Sequence, residues 1–455
     1  MSLANKLLRM HPAALVSASF ASGILLGTLM LLLPISTRAG TIGPVDALFT
    51  ATSAICVTGL TVMDTAASFT LFGQVVILIL IQIGGLGIMT ISVALFQWMG
   101  RSISFKQRMV MQDLFSHTPR RDILKLIKSI ILFTVGAELM GTILLTIHWN
   151  DQVPFLRAVY LGLFHSVSAF CNAGFALFPD SFMAYSDSIL LNTTICILIV
   201  IGGIGFPVLF DLGTQLGRNH QRTRLAVQTK VVLTTSFFLI VAGAVLFALL
   251  EHRSEAASAS IGHVLMTSLF QSITCRTAGF NTLDIYSLRE ATLAMMIFLM
   301  FIGASPGSCG GGVKTTTLAV LAGFTHARIR RRRRVNMFKK SLPVDAVNRS
   351  ISLVLASAAI ICIVVFLLLS GDVATGRELS GHHGAFLAYV FETVSAFATV
   401  GLSMGVTSAF SAWSKLLLIL TMLIGRVGVL TFSYLIVGAG PLGGKEHAEQ
   451  NLMIG

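Results

Sequence analysis

Four short stretches of this chain each end in a glycine and could surround a dehydrated cation with backbone carbonyl oxygens. Such a cation needs oxygen ligands on several sides, and carbonyls supply them without a fixed charge, so the ion can also leave. Glycine readily adopts the backbone angles that aim successive carbonyls at one axis, whereas β-branched residues do not. The candidate carbonyl ligands are Cys56, Val57, Thr58 and Gly59; Cys171, Asn172, Ala173 and Gly174; Arg276, Thr277, Ala278 and Gly279; and Ala398, Thr399, Val400 and Gly401.

These four stretches belong to an internal repeat. The glycine of each stretch follows a phenylalanine by nine or ten residues and precedes an Ile-Gly pair inside an apolar run, at 83–84, 201–202, 302–303 and 424–425. The four glycines recur at intervals of 115, 105 and 122 residues, so one repeat covers about a quarter of the chain. A single glycine would favour simple relief of helix packing. Four glycines at equivalent positions of the repeat favour a pore.

The composition indicates a membrane protein. Of 455 residues, 55% are hydrophobic and 11% are charged, whereas a soluble domain carries about 25% charged residues. The chain contains no long polar segment that could form a separate soluble domain. Its six cysteines show no C-x-x-C spacing, so we interpret them as reduced, buried residues rather than metal ligands or disulfides.

Each repeat predicts a long apolar helix, a short amphipathic segment that ends in the glycine stretch, and a second long apolar helix. The first helices are predicted at about 13–35, 123–147, 230–250 and 350–370, and the second at about 70–98, 188–212, 291–324 and 412–438. The segments between them, at about 44–56, 155–171, 260–275 and 383–398, are too short to cross a membrane. We predict that they are re-entrant hairpins that line a water-filled path.

The predicted fold is therefore an all-α polytopic membrane protein with four membrane–pore–membrane repeats around one central pore. It has eight transmembrane helices and four re-entrant pore helices. The predicted repeats are 1–100, 101–213, 214–326 and 327–455.

The basic residues predict the orientation in the membrane. The three linkers 99–128, 213–230 and 326–349 hold 20 Lys and Arg, against 6 in the connections predicted on the opposite side. The linker side is therefore predicted to be cytoplasmic, together with both termini. The net charge of +13 and the run from Arg330 to Arg334 favour contact with anionic membrane lipid or an acidic soluble partner rather than nucleic acid.

The second helix of the third repeat must be broken. Five glycines and a proline lie within residues 303–312, and a regular helix cannot hold them. A nucleotide-binding P-loop is excluded because Val313 stands where that motif requires lysine. A polar loop at mid-membrane depth must line the pore. The predicted gate residues are Gly303, Ser305, Pro306, Gly307, Gly310, Gly311, Gly312, Lys314 and Arg426.

Several ionisable residues in apolar surroundings allow more than one interpretation. Lys314 and Arg426 could repel cations beside the pore and hold the loop by hydrogen bonds; otherwise Lys314 snorkels toward the cytoplasm and Arg426 only donates to loop carbonyls. Glu392 either caps a helix or attracts cations to the entrance. Glu138 is expected to face a neighbour's backbone or polar group. The histidines His165 and His263 are interpreted as structural residues rather than metal ligands.

The sequence resembles the Trk/Ktr/HKT superfamily of potassium- and sodium-translocating subunits over nearly its whole length. The four filter strands of that superfamily are similar to Val57-Thr58-Gly59-Leu60, Cys171-Asn172-Ala173-Gly174-Phe175, Arg276-Thr277-Ala278-Gly279-Phe280-Asn281-Thr282 and Thr399-Val400-Gly401-Leu402-Ser403. The run Ile81-Gln82-Ile83-Gly84-Gly85-Leu86-Gly87 and the short chain resemble the KtrB-type subunits in particular. Cys309 departs mildly from the family, which more often has Thr or Ala nearby.

The resemblance implies potassium uptake across the bacterial cytoplasmic (inner) membrane, stimulated by sodium and gated by the glycine-rich loop. It implies potassium rather than sodium because members with Ser in the first filter position tend toward sodium, and this chain has Gly59. The implied potassium sites are the carbonyls of Val57, Thr58, Asn172, Ala173, Thr277, Ala278, Thr399 and Val400.

The resemblance also implies a homodimer, each subunit with its own pore, on a cytosolic ring of RCK-type nucleotide-binding subunits (KtrA-like). It implies no organic cofactor in this chain, and sodium is a second candidate ion. The alternative within the superfamily is a sodium-selective member or a sodium–potassium symporter, and broken helices also occur in alternating-access carriers. A membrane enzyme that uses the glycine-rich loop is disfavoured because no carboxylate pair, Ser/His set or metal cluster accompanies the loop.

Overall fold

The computed structural model describes residues 12–87, 123–216, 225–251, 261–375 and 384–429, and these residues are mostly helical. Both ends of the chain, most of the basic linker 99–128 and part of the linker 213–230 lie outside the described residues. So do the C-terminal parts of the second helices that the sequence predicts at 70–98 and 412–438.

The helices follow the predicted order. In the first half of the chain they are α1 (Pro12–Leu31), α2 (Pro44–Ile55), α3 (Thr65–Ser68), α4 (Leu71–Leu86), α5 (Ile123–Trp149), α6 (Phe155–Phe170), α7 (Ile189–Ile204) and α8 (Phe206–Leu216). In the second half they are α9 (Val227–Glu251), α10 (Ile261–Thr274), α11 (Glu290–Phe301), α12 (Thr315–Ile329), α13 (Val344–Thr375), α14 (Gly384–Ala398) and α15 (Ala412–Val427). Between α12 and α13 lies an antiparallel hairpin of β1 (Asn336–Met337) and β2 (Lys340–Ser341).

Local sequence explains where several of these helices begin. Helix α2 begins at Pro44, where a missing N–H costs nothing, and has Asp46 in its first turn. Helices α4, α7 and α15 each follow a hydroxyl residue whose side chain accepts a hydrogen bond from the first turn. These N-caps are Thr70, Ser188 and Ser411.

Three of the described helices are long and apolar enough to cross a membrane: Ile127–Trp149, Val227–Glu251 and Val344–Gly371. They expose large apolar side chains on their outer faces, such as Phe237 and Phe366. The four short helices α2, α6, α10 and α14, which we call the central helices, are buried mainly in their C-terminal halves, which lead into the glycine stretches. The phenylalanine landmark on each central helix is at most 1% exposed. Apolar residues therefore face outward around a centre rich in small and polar residues, as expected of a protein in lipid.

The prediction of a continuous second helix at 188–212 is wrong. Helices α7 and α8 are bent by 97° around Gly205, which has φ of 100°. Helices α4 and α15 end at equivalent glycines, Gly87 and Gly428, with φ of 82° and 95°. An ordinary residue avoids this left-handed region, so the glycine ends each helix there. The third repeat has Pro306 at the equivalent position, and the predicted 291–324 segment is split into α11 and α12.

Candidate functional site

The four glycine stretches, which we number 1 (56–59), 2 (171–174), 3 (276–279) and 4 (398–401), meet in a closed ring. A Cβ atom added to the glycine of any stretch would meet the carbonyl oxygen that precedes the glycine of another stretch. Gly59 faces the carbonyl of Ala173, Gly174 that of Ala278, Gly279 that of Val400, and Gly401 that of Thr58. The contacts therefore run from stretch 1 to 2, 3, 4 and back to 1.

The backbone of the four stretches follows one pattern. The residue two positions before each glycine has a positive φ although it is not glycine: 57° at Val57, 59° at Asn172, 73° at Thr277 and 52° at Thr399. The glycines themselves have φ of 91°, 68°, 79° and 94°, while the residue between has a negative φ. Left-handed angles at non-glycine residues cost about 1–3 kcal/mol each and cluster at functional sites. This alternation turns successive carbonyls to the same side of the strand, as a cation site requires.

Hydroxyl residues of the central helices hold stretches 1 and 4. The backbone carbonyl of Ser53 accepts from the Thr58 N–H at 2.8 Å, and its Oγ accepts from the Gly59 N–H at 3.1 Å. Ser395 makes the same two bonds in stretch 4, at 2.9 and 3.1 Å. Both serines are completely buried. Each satisfies the N–H groups of a strand whose carbonyls are turned away from the helix.

Stretches 2 and 3 are held by hydroxyls that donate instead of accept. Ser168 Oγ donates to the Phe175 carbonyl at 2.8 Å, and Thr274 Oγ1 donates to the Phe280 carbonyl at 2.6 Å. The sequence pattern alone did not single out the four hydroxyl residues Ser53, Ser168, Thr274 and Ser395. The available signal was their position, six residues before the glycine in stretches 1, 2 and 4 and five in the shorter stretch 3.

The Ile-Gly landmark packs against the end of the central helices. A Cβ added at Gly84, Gly202 or Gly425 would collide with the carbonyl oxygen of Ile55, Phe170 or Phe397, respectively. Each of those carbonyls lies four residues before the glycine of stretch 1, 2 or 4. The landmark glycine therefore lets the second helix of the repeat touch the backbone that carries the stretch.

A cavity of about 460 Å³ lies on one side of the ring and is lined by all four ring glycines. Three aspartates also line it: Asp64, Asp180 and Asp284. They follow the glycines of stretches 1, 2 and 3 by five or six residues, a spacing that the sequence analysis did not use. Carboxylates in such a cleft raise the local concentration of cations.

Glu392 of α14 supports the segment that follows stretch 4. Its carboxylate accepts from Ser403 Oγ at 2.6 Å, from the Met404 N–H at 3.0 Å and from Thr407 Oγ1 at 2.8 Å. The side chain is completely buried and does not line the cavity above the ring. The bonds hold residues 403–407, and the short 3-10 helix Thr407–Ala409 that follows has no side-chain cap, so the geometry matches neither the predicted helix cap nor a residue that faces ions at the entrance.

Residues 302–314, which we call the central loop, lie directly against the opposite side of the ring. The Gly311 N–H donates to Thr399 Oγ1 at 2.9 Å, and a Cβ added at Gly310 would collide with Thr277 Oγ1. These threonines are the left-handed residues of stretches 3 and 4. Only residues without a side chain fit between the loop and the ring at these two positions.

Two cationic side chains hold the central loop. Arg426 at the end of α15 donates to the carbonyls of Cys309 in the loop and Gly84 in α4. Lys314 Nζ donates to the Gly310 carbonyl at 2.7 Å. Both side chains therefore hold the loop, and both also line a cavity of about 370 Å³ beyond it. Lys314 bonds back into the loop, so the snorkelling interpretation does not describe this conformation.

The central loop also forms backbone hydrogen bonds with the end of α7 and the start of α8. Ser305 N–H donates to the Gly203 carbonyl at 3.1 Å, and Cys309 N–H donates to the Gly202 carbonyl at 3.2 Å. The Gly307 carbonyl accepts from Phe206 N–H at 2.9 Å. The bend at Gly205 thus exposes the backbone groups that the loop occupies.

The structure brings the predicted stretch residues and gate residues together. Among the stretch residues all are buried except Gly174, which is half-buried, and the side chain of Arg276 turns away from the ring to donate to Ser236 Oγ at 3.0 Å. Of the gate residues, Gly303, Ser305, Gly310 and Gly311 are buried, and Pro306, Gly307, Gly312, Lys314 and Arg426 are half-buried.

The remaining singled-out residues have structural partners. Glu138 accepts from Gln82 Nε2 at 3.2 Å. His165 uses both ring nitrogens, on the Leu161 carbonyl at 2.8 Å and the Leu177 N–H at 3.0 Å. His263 contacts Asp187 at 2.6 Å. Within the described ranges, no group of three or more His, Cys, Asp or Glu is placed to hold a metal ion.

The fold and the ring define a polytopic helical membrane protein, and comparison with known proteins identifies its family. The family described as "TrkH: Cation transport protein" matches residues 10–439. The chain therefore belongs to the TrkH family of cation transport proteins.

Individual relatives are similar over almost their full length. The chain is 37% identical to Ktr system potassium uptake protein B of Bacillus subtilis, over 94% of each chain. The protein of the same name from Vibrio alginolyticus is also 37% identical, over 94% of this chain and 91% of the relative. Potassium/sodium uptake protein NtpJ of Enterococcus hirae is 35% identical over 98% of each chain. The crystal structure of the potassium transporter TrkH from Vibrio parahaemolyticus shares the fold, with a TM-score of 0.73 and 20% identity over 94% of this chain and 86% of that one.

Proposed function

We propose that this chain takes up potassium ions across the bacterial cytoplasmic membrane through the axis of the ring. The observation that carries this proposal is the closed ring of stretches 1 to 4, with the same alternation of φ angles in each. Carbonyls from four sides can replace the hydration shell of a cation without binding it too tightly to leave. The names of the Bacillus and Vibrio relatives, both potassium uptake proteins, support potassium as the ion.

The potassium ligands in this proposal are the carbonyls of the two residues before each ring glycine. They are Val57 and Thr58, Asn172 and Ala173, Thr277 and Ala278, and Thr399 and Val400. The cavity lined by Asp64, Asp180 and Asp284 is the entrance, where the carboxylates concentrate cations before they lose water.

The proposed arrangement in the membrane has four membrane–pore–membrane repeats, 1–100, 101–213, 214–326 and 327–455, each contributing one stretch. The central helices run for 12 to 16 residues, too short to cross the hydrocarbon core, which supports re-entrant segments. The excess of Lys and Arg in the linkers supports a cytoplasmic location for them and for both termini.

The central loop is the proposed gate. It lies between the ring and the cavity that contains Lys314 and Arg426, so an ion that leaves the ring must pass it. Two cationic side chains hold the loop in place and also oppose the passage of a cation. Flux then requires the loop to move away from Thr277 and Thr399.

We further propose a homodimer regulated by a cytosolic ring of RCK-type nucleotide-binding subunits (KtrA-like), and stimulation by sodium. The names of the Bacillus and Vibrio relatives, which assign them to a Ktr system, and the basic linkers 99–128 and 326–349 support a cytosolic partner. Loss of regulated uptake when the cytosolic RCK-type subunits are omitted would support this assembly. Full regulation of the lone subunit would contradict it.

Gly59→Ser tests the ion ligands. The ring glycine has φ of 91°, and a side chain there would collide with the Ala173 carbonyl, so serine should spoil the coordination of the larger ion. Potassium uptake is measured in a bacterial strain without its own uptake systems, with and without sodium. We expect weaker potassium uptake with a higher potassium concentration at half-maximal rate. Unchanged uptake and affinity would remove Gly59 from the site.

The alternative is a sodium-selective or sodium–potassium symporting protein. The specific observation in its favour is the name of the Enterococcus relative, a potassium/sodium uptake protein. The same strain distinguishes the two: potassium uptake without sodium rejects obligatory symport, and sodium uptake without potassium uptake rejects the potassium proposal.

A further inference from the structure

A basic pocket lies where α12 ends and α13 begins, and none of its lining residues belongs to the ring or to the central loop. Its volume is about 380 Å³. Apolar residues such as Phe324 and Val347 form part of its lining, and four arginines line it as well: Arg328, Arg332, Arg333 and Arg334. The short β1–β2 hairpin contributes Ser341 to the wall.

The end of α12 directs these arginines into one place. The N–H of Arg331, which has φ of 54°, donates to the Arg328 carbonyl at 2.9 Å, and the Arg332 N–H donates to the Ala327 carbonyl at 2.7 Å. This left-handed turn ends the helix and reverses the chain. As a result Arg332, Arg333 and Arg334 face the same cavity as Arg328, whose guanidinium lies 5.0 Å from the centre of the Phe324 ring.

The described residues that line the pocket carry positive charge only, and the nearest acidic residue in sequence, Asp345 in the first turn of α13, is not among them. Four guanidinium groups around one cavity repel one another, and an anion between them removes that repulsion. Guanidinium groups bind phosphate in a bidentate manner, which makes phosphate the best-matched anion.

The surroundings of the pocket place it at the level of lipid headgroups. Val344, the first residue of α13, is 67% exposed, and residues Val344–Gly371 form one of the membrane spans. Ile329 at the end of α12 is 77% exposed. Phe338 at the tip of the hairpin is 47% exposed and is followed by Lys339 and Lys340. Exposed apolar side chains next to basic ones are typical of a surface that contacts an anionic membrane.

We propose that this pocket binds the phosphate of an anionic phospholipid headgroup, with the apolar side chains around it in contact with the acyl chains. Clustered arginines would recognise the phosphate of a lipid headgroup and a soluble phosphate in the same way. The exposed apolar residues around the pocket favour the lipid. The proposal does not depend on which ion the ring conducts.

Lipid binding is measured on the purified full-length protein with phosphatidylglycerol, phosphatidylcholine and inorganic phosphate as separate probes. The variant Arg332→Gln/Arg334→Gln removes two pocket charges, and Arg330→Gln/Arg331→Gln is its control. The control removes two charges from the same run, at positions that do not line the pocket. Native mass spectrometry or a fluorescent-lipid titration gives the affinity.

We expect phosphatidylglycerol to bind in preference to phosphatidylcholine, and the pocket variant to bind it at least about tenfold more weakly, because that variant loses two guanidinium groups that would hydrogen-bond the phosphate directly. The control loses only long-range attraction to the lipid, which salt screens, so in about 0.15 M salt its affinity should change less than about threefold. Equal losses of affinity in both variants would show that the lipid responds to the total charge of the arginine run, and would overturn the proposal of a binding pocket. If the pocket binds inorganic phosphate but does not prefer phosphatidylglycerol to phosphatidylcholine, the assignment of a lipid as its ligand is wrong.

A second measurement tests the position of the hairpin without removing any pocket residue. In Phe338→Trp, the added fluorescence relative to the unsubstituted protein should be quenched by brominated phosphatidylglycerol in vesicles, and more strongly than by brominated phosphatidylcholine. Absence of quenching by either lipid would place the hairpin away from the membrane and contradict the proposal.

Discussion

Arg426 hydrogen-bonds the central loop, and the proposed gating role of that loop predicts that replacing Arg426 with glutamine raises ion flux. Its guanidinium is the bridge between the loop carbonyl of Cys309 and the Gly84 carbonyl at the end of α4. Glutamine is shorter, carries no charge and cannot span both acceptors. The substitution also removes a positive charge from the cavity beyond the central loop, which lies on the proposed path of the cation.

The size of the effect follows from the lost contacts. A hydrogen bond from a charged donor contributes about 1.5–3 kcal/mol. If the loss of one such bond weakens only the closed loop, the ratio of open to closed protein rises about ten- to hundredfold, since about 1.4 kcal/mol corresponds to a factor of ten. Flux rises with that ratio for as long as the open state remains the minor one.

The assay is rubidium or potassium uptake into proteoliposomes that contain equal amounts of folded protein. Arg289→Gln is the control, because it removes the same charge from an exposed position outside both cavities. Increased flux in Arg426→Gln with unchanged flux in the control is the expected result. Decreased flux of a correctly assembled Arg426→Gln protein would refute the assignment of Arg426 to the closed gate.

Two further contacts stabilise the segment after stretch 4 and the packing of α2 on α15. Glu392→Ala leaves the Met404 N–H and two hydroxyls without their acceptor, so the free energy of unfolding should fall by about 2–4 kcal/mol. Thermal or denaturant unfolding in detergent measures this change. The control Asp151→Ala, in an exposed turn, should have little effect. The Asp46–Lys415 ion pair at 2.7 Å joins α2 to α15, and a double-mutant cycle should give a coupling of about 1 kcal/mol that shrinks in high salt. Strictly additive single substitutions would show that this pair contributes nothing.

The sequence predicted the central helices well because hydrophobic pattern and glycine landmark define them together. The segment predicted at 44–56 is α2, Pro44–Ile55, and the segment predicted at 155–171 is α6, Phe155–Phe170. Their ends coincide with local signals, a proline at the start and a glycine stretch at the end.

The break in α7 was not predictable in the same way. Gly205 lies in an apolar run that reads as one helix, and an isolated glycine in such a run is usually tolerated. A Cβ at Gly205 would meet the carbonyl oxygen of Pro306 in the central loop, at a contact between two repeats about a hundred residues apart. The available signal was the position of Gly205, four residues after Ile201, because Gly87 and Gly428 follow the isoleucine of their own repeats by the same distance.

The hydroxyls behind the stretches illustrate a different limit. Ser53 and Ser395 are two among many small residues in apolar helices. Their residue type does not distinguish a serine that hydrogen-bonds to the ring from one that only packs between helices. Only the geometry shows that their Oγ atoms accept from the ring glycines. For Arg426 the sequence left a barrier and a structural donor open, and the geometry supplies the donor contacts.

The most direct test of the central claim is ion flux through Gly279→Ser, compared with Gly136→Ser. Gly279 has φ of 79°, and a side chain there would collide with the Val400 carbonyl of the ring, whereas nothing lies within 4 Å of a Cβ at Gly136 on the outer face of α5. Potassium uptake is measured in proteoliposomes after both proteins are shown to be folded. The account predicts at least about a tenfold loss of uptake in Gly279→Ser, because the site then misplaces ligands that must surround the ion, and unchanged uptake in Gly136→Ser. Normal potassium uptake and selectivity in a folded Gly279→Ser protein would contradict the claim that the ring is the ion pathway.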